Sequence, residues 1–330
     1  MLYHSSNNLT PIPDAEFESR IIKVHDAISD VCTSGRFASF DGLEIAYYYY
    51  LCENPAGSIV LVHGFTEFAM KYEEIIYYFL EAGYNCFIYD QRSHGYSGSG
   101  IDDHRYNHVE DFREYGKDLN AFIEQIVLPN CGNTALSLYC HSMGGAVSLI
   151  YFHDFKPDFI KKAVFSSPMV KPRMAKNFPF WLVKASVRKS VKKVGWNGAF
   201  AHTSHFNPNP EYTASHDSSK ARFNQNIRLR RADEHYQNSG STNRWLMECL
   251  KLHTFLLKKD YLSEISQEIL ILEAGQDGVV YTGPYKKLEK YLPHCKISVY
   301  PNAKHSIYNS DDETLKRYWE EIFSYLKGSF

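Results

Sequence analysis

The sequence predicts an α/β fold: a mostly parallel sheet with helices on both faces, interrupted by an inserted, mainly helical cap. Three observations carry this expectation. Short apolar runs of strand length alternate with stretches of helical spacing from Ser58 onward, the pattern of parallel strands joined by crossover helices. The alternation stops after Pro168 and resumes at Glu268. The resumed part holds too few strand–helix units for an independent domain, so one core split by an insertion is favoured over two domains in series. The expected division is a core formed by residues 1–170 and 263–330, with a cap over 171–262.

Taken in order, residues 1–35 carry few strong signals beyond a helix over 14–31. Arg36–Phe40 and Leu43–Leu51 flank Asp41-Gly42 and read as a hairpin. Ser58–His63, Asn85–Tyr89, Thr134–Cys140 and Lys162–Phe165 read as short strands, and Lys71–Leu80, Val109–Val127 and Gly144–Phe152 as the helices between them. The insertion looks mostly helical, with polar loops at 202–219 and 237–243. Beyond it, strands at Glu268–Leu272 and Lys296–Tyr300 alternate with helices at Pro284–Tyr291 and Thr314–Leu326.

Composition narrows the function. Apolar residues make up 44% of the 330 and charged residues 22%, which excludes a disordered or fibrous chain. A net charge of −2 gives no reason to expect a nucleic-acid partner. No apolar run approaches the ~20 residues of a membrane-spanning helix. The N-terminus lacks the basic start and apolar stretch of a secretory signal. Seven cysteines stand singly, with no Cys-x-x-Cys pair, which reads as reduced thiols rather than a zinc or redox site. The expected location is the cytoplasm.

The candidate chemistry starts at Leu136–Gly145, a strand, a tight turn and the start of an apolar helix, with Ser142 at the turn. A nucleophile elbow has this context and the spelling Gly-x-Ser-x-Gly. Gly144 obeys it; Cys140 stands where the first glycine is expected. A serine hydroxyl needs an adjacent base, oriented in turn by a third group. His305, just past the last strand, is the candidate base, because open α/β sheets gather their sites at the carboxyl edge. His294 falls on the opposite edge and His253 in the insertion. Asp277, in a Gly-flanked turn after the preceding strand, is the candidate acid; Glu273 competes but lies nearer the strand body.

His63-Gly64-Phe65 follows the first core strand. The backbone N–H groups of Phe65 and Met143 are the candidate oxyanion hole, and His63 itself reads as structural. Asp90, Arg92 and His94 follow the next strand. They read as a polar network bracing the oxyanion loop, with a metal site or second acid as the alternative.

The segments HGF, DQRSHGYSGSG, CHSMGG, AGQDGVV and NAKHSIYNSDDE occur in that order. Together they resemble the lysophospholipase L2 and monoacylglycerol lipase branch of the α/β-hydrolases, from about Arg36 to the C-terminus. Ser218–Asn224 and Gly240–Leu246 resemble the cap of the bacterial lysophospholipases. The resemblance implies an α/β-hydrolase fold and hydrolysis of the ester of a single-chain glycerolipid such as a lysophospholipid. It also implies a triad of Ser142, Asp277 and His305, and no metal or cofactor. A monoacylglycerol lipase, a general carboxylesterase and a peptidase share this machinery. Epoxide hydrolases and haloalkane dehalogenases use an aspartate where this chain has Ser142, and a binding protein on this fold would usually have lost a triad member.

Between Lys171 and Lys193 lie eight lysines or arginines and no acidic residue, interleaved with Phe178, Phe180, Trp181, Leu182 and Val183. Such a stretch suits peripheral contact with an anionic membrane, which would be the inner face for a cytoplasmic protein. It equally suits a solvated helix whose apolar side covers the site. Phe180, Trp181 and Trp245 are the candidate substrate contacts in the cap.

Overall fold

The computed structural model describes residues 9–173 and 178–328. Its strands are β1 (Cys32–Ala38), β2 (Glu44–Tyr50), β3 (Gly57–Val62), β4 (Tyr84–Tyr89), β5 (Tyr106–Asn107), β6 (Leu136–His141), β7 (Ile160–Ser166), β8 (Gly240–Ser241), β9 (Glu268–Ala274) and β10 (Cys295–Tyr300). All but β5 and β8 join one sheet in the order β1-β2-β4-β3-β6-β7-β9-β10. The β1–β2 hairpin and its junction with β4 are antiparallel; every other pairing in that sheet is parallel.

The helices that bear on the site are α1 (Phe17–Ser29), α2 (Glu73–Glu81), α3 (Arg113–Phe122), α4 (Met143–Phe155), α5 (Phe180–Val194), α6 (Lys220–Ala232), α7 (Asn243–Cys249), α8 (Tyr285–Tyr291) and α9 (Asp312–Lys327). Because successive strand residues face opposite ways, each central strand feeds two cores. Val60 and Val62 pack on the side of α3, α4 and α8, and Ile59 and Leu61 on the side of α1, α2 and α9. Burial on both faces is why β3 and β4 read as unbroken apolar runs.

The chain leaves the sheet after β7 and returns in β9, and these two strands are direct neighbours. Helices α5, α6 and α7 therefore occur between adjacent strands of one sheet. Two local readings differ from the sequence. The helix expected from Val109 starts at Arg113, whose amide bonds to Asp111 Oδ1 at 2.9 Å, and a π turn then carries it to Val127. The expected loop at 237–243 contains β8, which pairs in parallel with β5; a two-residue strand is too short to show a period. Beside this pair, Thr242 N–H donates to Asn107 O at 3.0 Å, and Asn238 Nδ2 donates to Ser93 O and His104 O. The insertion is thus sewn to the core away from its own two ends.

Arg92, in the loop after β4, fastens that loop to α3. Its Nε and Nη2 donate to the two oxygens of Asp118 at 2.6 and 2.7 Å, and Nη1 donates to Glu114 at 2.9 Å and Asp41 at 3.1 Å. Asp118 is fully buried. Arg92→Ala leaves that charge without its cation, so the expected loss of stability is about 3–5 kcal/mol. Chemical denaturation of the two proteins checks it, and a loss below about 1 kcal/mol would refute the bracing role.

Candidate active site

The sequence from β6 into α4 forces a sharp turn. Ser142 adopts φ 49° and ψ −112°, a sparsely populated region for a residue with a side chain, at a cost of order 1–3 kcal/mol. Three backbone hydrogen bonds hold it there: Ser142 N to Ser166 O at 3.0 Å, Gly145 N to Ser142 O at 3.0 Å and Met169 N to Ser142 O at 2.8 Å. A Cβ on Gly144 would lie 2.0 Å from Val62 O, and one on Gly145 2.5 Å from the Cβ of Pro168. The close approaches thus fall after the serine. Cys140 belongs to the strand body, paired with Val62 and Phe165, its Sγ buried 3.0 Å from Ser148 Oγ. That is why the elbow closes without a glycine at 140.

Three loops at the carboxyl edge bring the candidate triad together. His305 Nε2 lies 2.9 Å from Ser142 Oγ, and Nδ1 lies 2.7 Å from Asp277 Oδ2. Asp277 Oδ1 accepts the amides of Val279 at 2.7 Å and Val280 at 2.9 Å. All three residues are buried. Burial alone would raise the Asp277 carboxyl, but the His305 ring and the two amides outweigh it and hold it below its ordinary range. The carboxylate on Nδ1 fixes the proton there and leaves Nε2 as the acceptor of the serine proton. Glu273 stays in β9, opposite Val299, and does not reach His305. His294 sits at the other edge, where its carbonyl accepts Ile269 N; His253 packs against the Phe180 ring.

The candidate oxyanion amides flank the serine. Phe65 N makes no hydrogen bond among the described residues. Met143 opens α4, so its amide is among those a helix start leaves without an intrahelical partner. His63 is a brace: Nδ1 bonds to Gly64 O at 2.8 Å and Nε2 accepts Gln91 N at 2.9 Å. Asp90 is taken up by the amides of Ala69 and Tyr96, and His94 Nδ1 by Arg92 O. Those contacts are bracing contacts, as the first reading of this loop has it.

Sequence reasoning missed Glu67. Its buried carboxylate accepts five hydrogen bonds. Oε2 takes Gly64 N at 2.6 Å, Tyr72 OH at 2.6 Å and His141 Nδ1 at 3.0 Å; Oε1 takes Lys71 Nζ at 2.6 Å and Tyr308 OH at 2.7 Å. Burial would raise its pKa, but Lys71 and His141 hold it well below the usual range. One side chain thereby ties the oxyanion loop, the elbow and the histidine loop. Its position after His63-Gly64 is the only sequence signal it offers.

Ser142 and His305 open into a cavity of about 1140 Å³ beneath the insertion. Trp245 lines it, stacked on Phe65 with ring centres 4.1 Å apart. Phe180 and Trp181 do not line it. Helix phase decides this: Leu182, Val183 and Ser186 face the cavity with Phe178, while Phe180 packs toward His253 and Trp181 is 68% exposed.

A strained serine between a strand and a helix, backed in chain order by an acid and a histidine, belongs to the serine hydrolases of the α/β-hydrolase class. Residues 53–312 match the family Hydrolase_4, described as "Serine aminopeptidase, S33", and the chain belongs to that family. It is similar to a probable lysophospholipase L2 of Haemophilus influenzae, 27% identical over 81% of this chain and 83% of the relative. It is also similar to a monoglyceride lipase of Saccharomyces cerevisiae, 22% identical over 88% and 91%. Among solved structures, a soluble variant of the Saccharomyces cerevisiae monoglyceride lipase superposes with a TM-score of 0.72 at 19% identity, covering 90% of this chain and 94% of that one. A carboxyl esterase from Bacillus coagulans gives 0.70 at 18%, covering 90% and 98%. The chain is an ester hydrolase.

The braces carry a pH signature. Burial, the largest cause for each, pushes His63 down to about 4 and His94 to about 3, from an ordinary 6.5. The unfolded chain therefore binds protons below pH 6.5 that the folded chain refuses. Their contribution is fully present above pH 6.5 and is lost as the pH falls through about 4 for His63 and about 3 for His94. The two should cost roughly 2.7 kcal/mol per pH unit near pH 5. Denaturation at several pH values checks this; His94→Asn should roughly halve that part of the slope, and an unchanged slope would refute it.

Proposed function

We propose that this ester hydrolase cleaves the carboxylic ester of a single-chain glycerolipid, a lysophospholipid, through an acyl-enzyme on Ser142. The observation that carries the proposal is the hydrogen-bonded chain Asp277–His305–Ser142 opening into one large cavity with an apolar arm. Phe178, Leu182, Val183, Leu246 and Cys249 supply that arm, a wall for a single acyl chain. The names of the lysophospholipase and monoglyceride lipase relatives support the same substrate class.

His305 takes the Ser142 proton as Oγ attacks the ester carbonyl, while Asp277 steadies the imidazolium. The oxyanion forms against the Phe65 and Met143 amides. His305 then protonates the leaving glycerophosphoryl alcohol. Water enters, gives its proton to His305, and its oxygen displaces Ser142 from the acyl group. Ser142→Ala should lower turnover of a p-nitrophenyl ester by about 10⁴–10⁶-fold and abolish fluorophosphonate labelling, with thermal stability retained. Undiminished turnover would remove Ser142 from this role.

The partner surface is α5. Arg188, Lys189, Lys192 and Lys193 are exposed and form no ion pair among the described residues, and Trp181, Val194 and Trp196 are exposed beside them; Lys176 of the same basic stretch lies outside the described residues. We infer that this face rests on an anionic bilayer. The described residues hold no helix long and apolar enough to cross a membrane. Seven free thiols suit a reducing compartment, which favours the cytoplasmic leaflet. Each surface cation contributes about 1 kcal/mol on such a membrane. Arg188→Ser with Lys189→Ser should therefore weaken co-sedimentation with phosphatidylglycerol vesicles at least tenfold. Equal binding to phosphatidylcholine vesicles would overturn the electrostatic reading.

A further inference from the structure

Part of the cavity lining carries polar side chains that the acyl-transfer chemistry does not use. Helix α6 lines it with Phe223, Asn226, Ile227 and Arg230, positions spaced along one helical face. The segments His202 to Asn207 and Ser239 to Ser241 line the same cavity. These segments are locked together: Ser241 N donates to Thr203 Oγ1 at 2.8 Å, and Arg230 lies over the Phe206 ring at 4.9 Å. The apolar wall is built from other elements: Phe178, α5 and α7.

Arg230 is partly buried, and it differs from the buried arginines. Arg92 is met by Asp118, Glu114 and Asp41, and Arg222 by Glu74 and Asp14. Arg230 meets no carboxylate among the described residues. Its Nε donates to Tyr236 O at 2.9 Å and its Nη2 to Asn238 O, while Nη1 makes no hydrogen bond among them. Burial draws its pKa down to about 10 with no anion to oppose it, so at neutral pH the cavity holds a fixed cation. A charge kept out of water with no counter-ion is costly. The acidic side chains lining the same cavity are engaged elsewhere: Glu67 by its five donors, and Asp217 by Asn309 Nδ2 at 2.8 Å and by Ser215 Oγ at 3.0 Å. One turn before Arg230, the buried Oδ1 of Asn226 has no hydrogen-bond partner. The site thus presents a cation without a carboxylate and an acceptor without a donor on adjacent turns of one helical face, where Cβ atoms lie about 6 Å apart.

We propose that Arg230 and Asn226 form a head-group subsite. Arg230 binds the phosphate of a lysophospholipid, and Asn226 Oδ1 accepts the free glycerol hydroxyl beside it. A guanidinium takes phosphate oxygens as a planar fork, and its two carbonyl contacts fix that plane before substrate arrives. A neutral monoacylglycerol would leave the cation unanswered. The subsite makes phosphate the basis of substrate choice.

The inference rests on the lipid-hydrolase reading, so its test is separated from lipid hydrolysis. The readout is competitive inhibition of p-nitrophenyl ester turnover by two uncleavable probes of equal chain length: an alkyl-ether lysophosphatidylglycerol and a neutral 1-O-alkylglycerol. The wild-type protein should prefer the phosphorylated ether at least tenfold. Arg230→Met should reduce that ratio to within threefold of unity, and Arg230→Lys should retain part of it. Asn226→Ala should weaken both probes, since both carry the glycerol hydroxyl. A wild-type ratio near one, or a ratio unchanged in Arg230→Met, overturns the subsite. Glycerol 3-phosphate forms the last arm: inhibition as strong as that of the ether lipid would assign the site to free phosphate esters instead. A preference for the phosphorylated ether in a protein that cleaves no lysophospholipid would sink the lysophospholipid-substrate reading and leave the subsite standing. Because every comparison is a ratio within one protein, a variant that merely loosens the insertion moves both probes together.

Discussion

Glu67 lies where three loops from distant parts of the chain meet, and its carboxylate is the contact they share. Through Gly64 it sets the turn that carries the Phe65 amide, through His141 the residue before Ser142, and through Tyr308 the loop that carries His305. A charge this deeply buried is tolerable only because every donor is in place. The loops are therefore interdependent: moving any one of them leaves a charged, unsatisfied group in the interior. The strained serine rests on that rigidity, since an unfavourable φ persists only when its surroundings over-determine it. Val62 O and Pro168, crowding Gly144 and Gly145, complete the enclosure.

Much of this was legible in the sequence, and the reasons are physical. Parallel strands buried on both faces leave apolar runs that need no partner to be recognised. Turn chemistry at Asp41-Gly42 announces a hairpin, and the observed β1–β2 register closes around it. The members of the candidate triad follow strand ends, so chain order alone brings Asp277 and His305 to Ser142. What escaped depends on contacts far apart in the chain. Glu67 meets Tyr308 across 241 positions, and nothing near Glu67 marks it as an acceptor of five bonds. The β5–β8 pair is too short to carry a period. Phe180 and Trp181 failed as cavity contacts because an aromatic run on a helix does not disclose which residue faces inward; the neighbouring Leu182 and Val183 do.

The insertion adds two electrostatic features to a nearly neutral protein. Outside, α5 spreads cations over a solvated face. Inside, α6 holds Arg230, whose guanidinium meets no carboxylate among the described residues. The first kind of charge is screened within about 10 Å by ordinary salt, while the second is screened far less. The proposed membrane face and the proposed head-group subsite should thus respond differently to ionic strength, although both lie on the same excursion of chain between β7 and β9.

The pairing of β5 with β8 also bears on motion. A lid that swings needs its hydrogen bonds to the body confined to a hinge. Here the insertion is held at Asn107, Ser93 and His104 through Thr242 and Asn238. On another side Arg222 grips Glu74, and Ser219 N bonds to Asn309 O. Rigid-body opening would have to break these separated attachments together. Traffic through the roof is left to rotamer changes and loop breathing, on nanosecond to microsecond scales rather than those of domain closure. An insertion pinned on several sides favours passage by side-chain and loop adjustments within the enclosure over the swing of a whole lid.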